Sequence, residues 1–168
     1  MQNLNHERER VRSLARQVRE IAEHSQQKTN IKLWTAVNDK KMIQPVVLVR
    51  DCPRFLLEEG TDELTLTVSD PLLRTVERDL LDRIYEWNHM RCHRVIEPVY
   101  YVDAVVHSTG FGFELPTENP GPVEDQRYTE SKDYQTRITS FDDIEKIQTP
   151  VITYDEAKTL DNVAKVRD

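Results

Sequence analysis

Two short apolar runs bracket a well-capped helical stretch, and this arrangement constrains the chain more than any other feature. The first run, Pro45, Val46, Val47, Leu48 and Val49, ends on Arg50; the second, Pro98, Val99, Tyr100, Tyr101 and Val102, ends on Asp103. Runs without polar alternation suit strands buried on both faces, as in a parallel sheet covered by helices. Between them Asp70 is placed to cap a helix with Pro71 in its first turn, and Leu72, Leu73, Val76, Leu80, Ile84 and Trp87 fall on one stripe. Arg74, Glu77, Arg78, Asp79 and Asp82 then form the wet side. Strand, helix, strand is a βαβ unit with a right-handed crossover. Ligands in such folds meet the carboxyl ends of the strands, where Arg50 and Asp103 would face a common mouth.

The rest of the chain supports an α/β class. Val11, Leu14, Ala15, Val18, Ile21 and Ala22 predict an amphipathic helix over residues 6–25, with Asn5 as its cap. A second helix carries Ile31, Trp34 and Val37 and ends near residues 38–41. Residues 64–68 alternate as a half-exposed strand would. Residues 107–138, with three glycines and three prolines, form a loop of the length that usually serves as a lid or stays disordered. A short strand is expected within residues 134–139. Ser140 with Asp143, and Thr153 with Glu156, are spaced as capping boxes for two terminal helices separated by Pro150, the last carrying Ala157, Leu160 and Ala164.

Composition narrows the functional classes. The 168 residues hold one real core. The formal net charge of −7 disfavours nucleic acid and anionic membrane as partners. No apolar segment approaches the roughly 18 residues of a membrane span, and the polar N-terminus carries no signal-peptide core. With only two cysteines, Cys52 and Cys92, free thiols in a reducing, cytoplasmic setting are expected.

Few residues suggest chemistry. The cluster His89, Met90, Arg91, Cys92 and His93 matches no common zinc spacing and suits a helix end, where cations meet the dipole; no metal site is assigned. Cys52 lies between Arg50 and Arg54, which would lower a thiol pKa, although an idle thiol is the simpler reading. Arg50 and Arg54 are either an anion clamp or local partners of Asp51, Glu58 and Glu59. Asp103 is either a site carboxylate or a cap. His107 would line the mouth or be a plain loop residue. Trp34 and Trp87 sit on apolar stripes and are read as core.

Three stretches resemble the uroporphyrinogen decarboxylase superfamily, which also holds corrinoid-linked methyltransferases. Val47, Leu48, Val49, Arg50, Asp51, Cys52, Pro53, Arg54, Phe55 and Leu56 are similar to the decarboxylase stretch in which a strand enters R-Q-A-G-R-Y-L, with the arginine spacing kept. Tyr101, Val102, Asp103, Ala104 and Val105, followed by Gly112, Phe113 and Glu114, resemble F-S-D-I-L followed by G-M-E. Asp142, Asp143, Ile144, Glu145, Lys146 and Ile147 with Pro150 are similar to D-L-E-K-L…P. Cys52 and Pro53 replace the alanine and glycine of the true decarboxylase, which shifts the resemblance toward the corrinoid-linked members.

The resemblance implies the incomplete front portion of a (β/α)8 (TIM) barrel with N-terminal helices. It forms a single partial domain over 1–168: helices 1–44, a first βαβ unit 45–106, and a long loop with terminal helices 107–168. A complete barrel typically takes about 250 residues. It further implies Arg50 and Arg54 as binding residues for substrate carboxylates, with His107 beside them, and Asp103 as the catalytic carboxylate. The chain itself would carry no cofactor; corrinoid and zinc would belong to the complete protein, with the zinc ligands beyond Asp168. The implied function is corrinoid-dependent methyl transfer, with the chain inactive alone, an anionic small molecule or a corrinoid protein as partner, and self-association in solution. The alternatives are a non-enzymatic module that completes a barrel with a partner chain, and a fragment of a tetrapyrrole decarboxylase.

Overall fold

The computed structural model describes residues 2–50, 54–90, 92–112, 117–118, 133–134, 136 and 138–167. Asp51, Cys52, Pro53, Arg91, Phe113 and Glu114, all part of the sequence motifs above, lie outside the described residues. The chain divides into two units, Met1–Val102 with Asn162–Asp168, and Asp103–Asp161. It mixes helix and strand and is mostly helical. Among the described residues no helix is long and apolar enough to cross a membrane.

The first unit is built on two long helices, α1 (Gln2–Glu23) and α4 (Pro71–His89), packed against each other. Val11, Leu14 and Val18 of α1 meet Leu73, Val76, Leu80 and Leu81 of α4 in one apolar cluster that also takes Leu64, Val68 and Ile96. α4 begins as its local chemistry dictates: Asp70 accepts from the Leu72 and Leu73 amides, both at 3.1 Å, and Pro71 occupies the first turn. Lys165 reinforces that cap, its Nζ 2.5 Å from Asp70 Oδ2. α2 (Ser25–Asn38) follows α1, with His24 as its cap. It ends where Lys40 adopts a left-handed φ of 57° and its amide donates to Val37 O at 3.0 Å. A short helix, α3 (Arg54–Glu58), precedes the connection to α4.

Three expectations for this unit are corrected. Residues 45–49 and 98–102 are irregular backbone rather than paired parallel strands. Their side chains lack the two-sided cover that such a strand needs: Val47 is 54 % exposed and Tyr101 70 %. Residues 64–68 are not a strand either: the amides of Thr67 and Val68 go to Glu77 of α4, and that of Thr65 to the Asp62 carbonyl. Glu77, expected on the wet side of α4, is fully buried at 0 % exposure. On α2 the buried residues are Gln27, Asn30 and Leu33, whereas Ile31 is exposed.

The buried polar residues of the helices hold the irregular segments. Glu77 accepts from Thr67 N and Thr67 Oγ1 at 3.0 and 2.9 Å and from Val68 N at 2.9 Å. Glu7 of α1 accepts from Ser69 N and Ser69 Oγ at 3.0 and 2.6 Å, and these bonds keep its carboxyl below the usual range. Arg74 Nη1 donates to Val68 O at 2.7 Å. Buried backbone polar groups must find partners, and residues 66–70 find theirs in side chains instead of a sheet.

The second unit contains β1 (Val106–Ser108) paired antiparallel with β4 (Ile152–Tyr154), and β2 (Thr117–Glu118) paired antiparallel with β3 (Asp133–Tyr134). Among the described residues, the strand expected in 134–139 is thus met only at its first residue. α5 (Phe141–Ile144) begins at the Ser140–Asp143 box, with Asp143 Oδ2 accepting from Ser140 N at 3.0 Å. α6 (Glu156–Arg167) is capped by Asp155 rather than Thr153: Asp155 Oδ1 accepts from Lys158 N at 2.8 Å, while Thr153 lies within β4. The expected apolar stripe of α6 is not buried; Leu160 is exposed, and Thr159 is the one buried residue described in the second unit.

Candidate functional site

The first unit carries a cleft of about 450 Å³, within the usual size of a small-molecule site. Its charged lining is Arg50, Arg54 and Arg94 with Asp82 and Glu86. Val49, Leu57, Tyr85 and Met90 supply its apolar surface. Asp82, Tyr85 and Glu86 reach it because they lie three and four residues apart on one face of α4.

The two arginines singled out from the sequence both line this cleft, in different states. Every nitrogen of the Arg54 guanidinium is engaged: Nε with Glu58 at 2.6 Å, Nη1 with Asp82, and Nη2 with the Leu64 carbonyl. Arg54 thus fastens α3 to α4 and to the start of the pinned segment. Arg50 is exposed, and among the described residues no carboxylate pairs with it.

Asp103 and His107 belong to the second unit. Asp103 is exposed on irregular backbone, and His107 is exposed on β1 opposite Thr153. Neither lines the cleft of the first unit.

Arg94, Glu86, Asp82 and Tyr85 are cleft residues that the sequence reading passed over. The Glu86 carboxylate holds Arg94 through Nη1 and Nε, both at 2.9 Å. Burial raises the Glu86 carboxyl above its usual range more than Arg94 lowers it, and burial likewise raises Asp82 against the pull of Arg54. The spacing of Asp82, Tyr85 and Glu86 was a usable signal. Nothing local in the sequence marks Arg94, whose position depends on contacts from α2.

The histidines of the 89–93 stretch are engaged separately. His89 Nε2 lies 3.0 Å from Glu63 Oε2, and its ring is tilted against Tyr85 at 4.4 Å. His93 Nδ1 accepts from Val47 N at 2.9 Å, so the ring proton of the neutral form sits on Nε2. Cys92 is a half-buried free thiol. Among the described residues no three such side chains are grouped to hold a metal ion.

No family model, curated protein or solved structure matches the chain.

Proposed function

We propose that the chain is the front portion of a uroporphyrinogen-decarboxylase-like protein of the cytoplasm, serving corrinoid-dependent one-carbon transfer, and that its own contribution is to bind an anionic small molecule. The single observation that carries the binding half is Arg50, which lines the cleft and has no ion pair with a described carboxylate. Guanidinium forks pair bidentately with carboxylates, and the apolar wall of Val49, Leu57, Tyr85 and Met90 would take the body of such a molecule. Support for the barrel comes from the order of the three sequence motifs. It comes also from the exposure of Val47, Leu48, Val49, Val99 and Tyr101, apolar runs that neighbouring strands would cover. On this proposal residues 45–49 and 98–102 become regular strands once those neighbours are present, and Asp103 acts only in the complete protein.

The test is a titration of the 168-residue chain with a carboxylated tetrapyrrole and with small carboxylates, followed by quenching of Trp34 and Trp87. The expected result is saturable binding that Arg50→Gln weakens about tenfold to a hundredfold, as the loss of a charge-assisted bond predicts. A methylated corrinoid should keep its visible spectrum when the chain and a thiol are added. Equal affinity in Arg50→Gln would remove the binding half, and demethylation by the chain alone would contradict the assignment of catalysis to the complete protein.

A further inference from the structure

We propose that Arg94, rather than Arg54, is the second anion-holding cation of the cleft, and that Arg50 and Arg94 together take the carboxylate of a small organic acid. Its apolar body would lie against Tyr85 and Met90. This deepens the anion-binding proposal above and rests on it.

The donor inventory separates the two candidates. Arg54 spends all three nitrogens within the fold, on Glu58, Asp82 and the Leu64 carbonyl, so a ligand could claim it only by unfastening α3. Arg94 donates from Nη1 to Glu86 Oε1 and keeps Nε at ion-pair distance from Glu86 Oε2, both at 2.9 Å, while no described residue takes its Nη2, which is left for a ligand. Glu86 fixes the plane of that fork while using one face of it.

Construction of the backbone gives an independent argument. Arg94 lies on irregular chain, yet the segment carrying it is fastened by three side chains of α2. Asn30 Nδ2 donates to Arg94 O at 3.0 Å, Trp34 Nε1 donates to His93 O at 2.6 Å, and Gln27 Oε1 accepts from Ile96 N at 2.9 Å. Asn30 and Gln27 are 1 % and 2 % exposed. Burying an amide side chain is costly unless it bonds, and here Asn30 Nδ2 and Gln27 Oε1 each bond the backbone beside this arginine, while Gln27 Nε2 finds no partner among the described residues.

The two arginine-bearing segments are also fastened to each other. His93 N donates to Val47 O at 2.7 Å, and Val47 N donates to His93 Nδ1 at 2.9 Å. His93 immediately precedes Arg94, and Val47 stands three residues before Arg50. A two-cation site needs its members held in a fixed relation before the ligand arrives, and this paired link supplies that relation.

The test uses the full chain, with benzoate as a flat apolar carboxylate and inorganic phosphate as an anion without a body. Affinity is read by calorimetric titration and folding by thermal melting, for Arg50→Gln, Arg94→Gln, Arg94→Lys and Arg54→Lys. Benzoate should bind at least fivefold tighter than phosphate. Arg50→Gln and Arg94→Gln should each weaken benzoate about tenfold or more. Arg94→Lys, which keeps the charge and a partner for Glu86 but loses the fork, should weaken it several-fold and still melt cooperatively. Arg54→Lys should lower the melting temperature and weaken benzoate less than Arg94→Gln does. Loss with Arg50→Gln but not with either Arg94 variant overturns the role of Arg94 and leaves the anion cleft standing. No loss with any Arg50 or Arg94 variant removes both. Phosphate binding as tightly as benzoate overturns the apolar part of the ligand.

Discussion

Residues 64–70 of the first unit and the β1–β4 ribbon of the second both lack an extended sheet, and they satisfy their backbones in different ways. In the first, the amides of Thr67, Val68 and Ser69 go to Glu77 and Glu7, carboxylates buried on the two packed helices. In the ribbon, backbone bonds to backbone in a two-strand ladder, supplemented at its ends by Thr109 and Thr159. All described ribbon side chains are exposed. A single two-stranded ribbon is marginal in water, whereas a segment whose donors end on a buried carboxylate is tied to the helix core and cannot fray separately. Of the cleft arginines, Arg94 stands on irregular backbone that is also tied to a helix, there by Asn30 and Gln27 of α2.

That contrast can be broken by substitution. Glu77→Ala should have the largest effect, about 3–5 kcal/mol lost, because several buried donors lose their acceptor at once; urea denaturation of the full chain measures it. Asn30→Ala should cost about 1–3 kcal/mol, since it orphans the Arg94 carbonyl, and should loosen the segment carrying Arg94 as well. Ile152→Ser in the ribbon should change stability by less than about 0.5 kcal/mol, because Ile152 is exposed on β4.

The pH dependence sharpens the same contrast. Burial raises the Glu86 carboxyl, so the folded state binds its proton more tightly than the unfolded chain does. Its contribution to stability is therefore complete below the ordinary glutamate value of about 4.3, and it is lost as pH rises through the raised value. Asp70, lowered by Lys165 and by the amides at the start of α4, works in the opposite sense: its contribution is present above the ordinary aspartate value and is lost as pH falls through the lowered one. Melting curves across the acidic range should show Glu86→Gln removing the first dependence and Asp70→Asn the second.

Local chemistry made part of this fold legible. Asp70 and Pro71 announce the start of α4, and Val11, Leu14 and Val18 announce the buried face of α1, because caps and periodicity act over a few residues. Ser140 and Asp143 did the same for α5. The apolar runs at 45–49 and 98–102 misled because hydrophobicity specifies a wish for cover and not its source. Glu77, Gln27 and Asn30 were illegible for the converse reason: each is a surface-type residue by local rules, buried only because a distant segment brings donors or acceptors to it. The site followed the same division. Arg50 was visible at the end of its run and does line a cleft, while Arg54 took the structural alternative already open to it. Arg94 depends on bonds from α2 some sixty residues away in sequence and could not be seen locally.

Native-state hydrogen exchange on the amides of Thr67, Val68 and Ile96 measures most directly whether helix side chains hold the irregular backbone of the first unit. These three amides lie outside helix and strand, yet they donate to Glu77 and Gln27. Their exchange should be nearly as slow as that of the α4 interior, and Glu77→Gln should speed Thr67 and Val68 while sparing Ile96. Exchange of all three at the rate of an unstructured peptide, with α4 still protected, would contradict it.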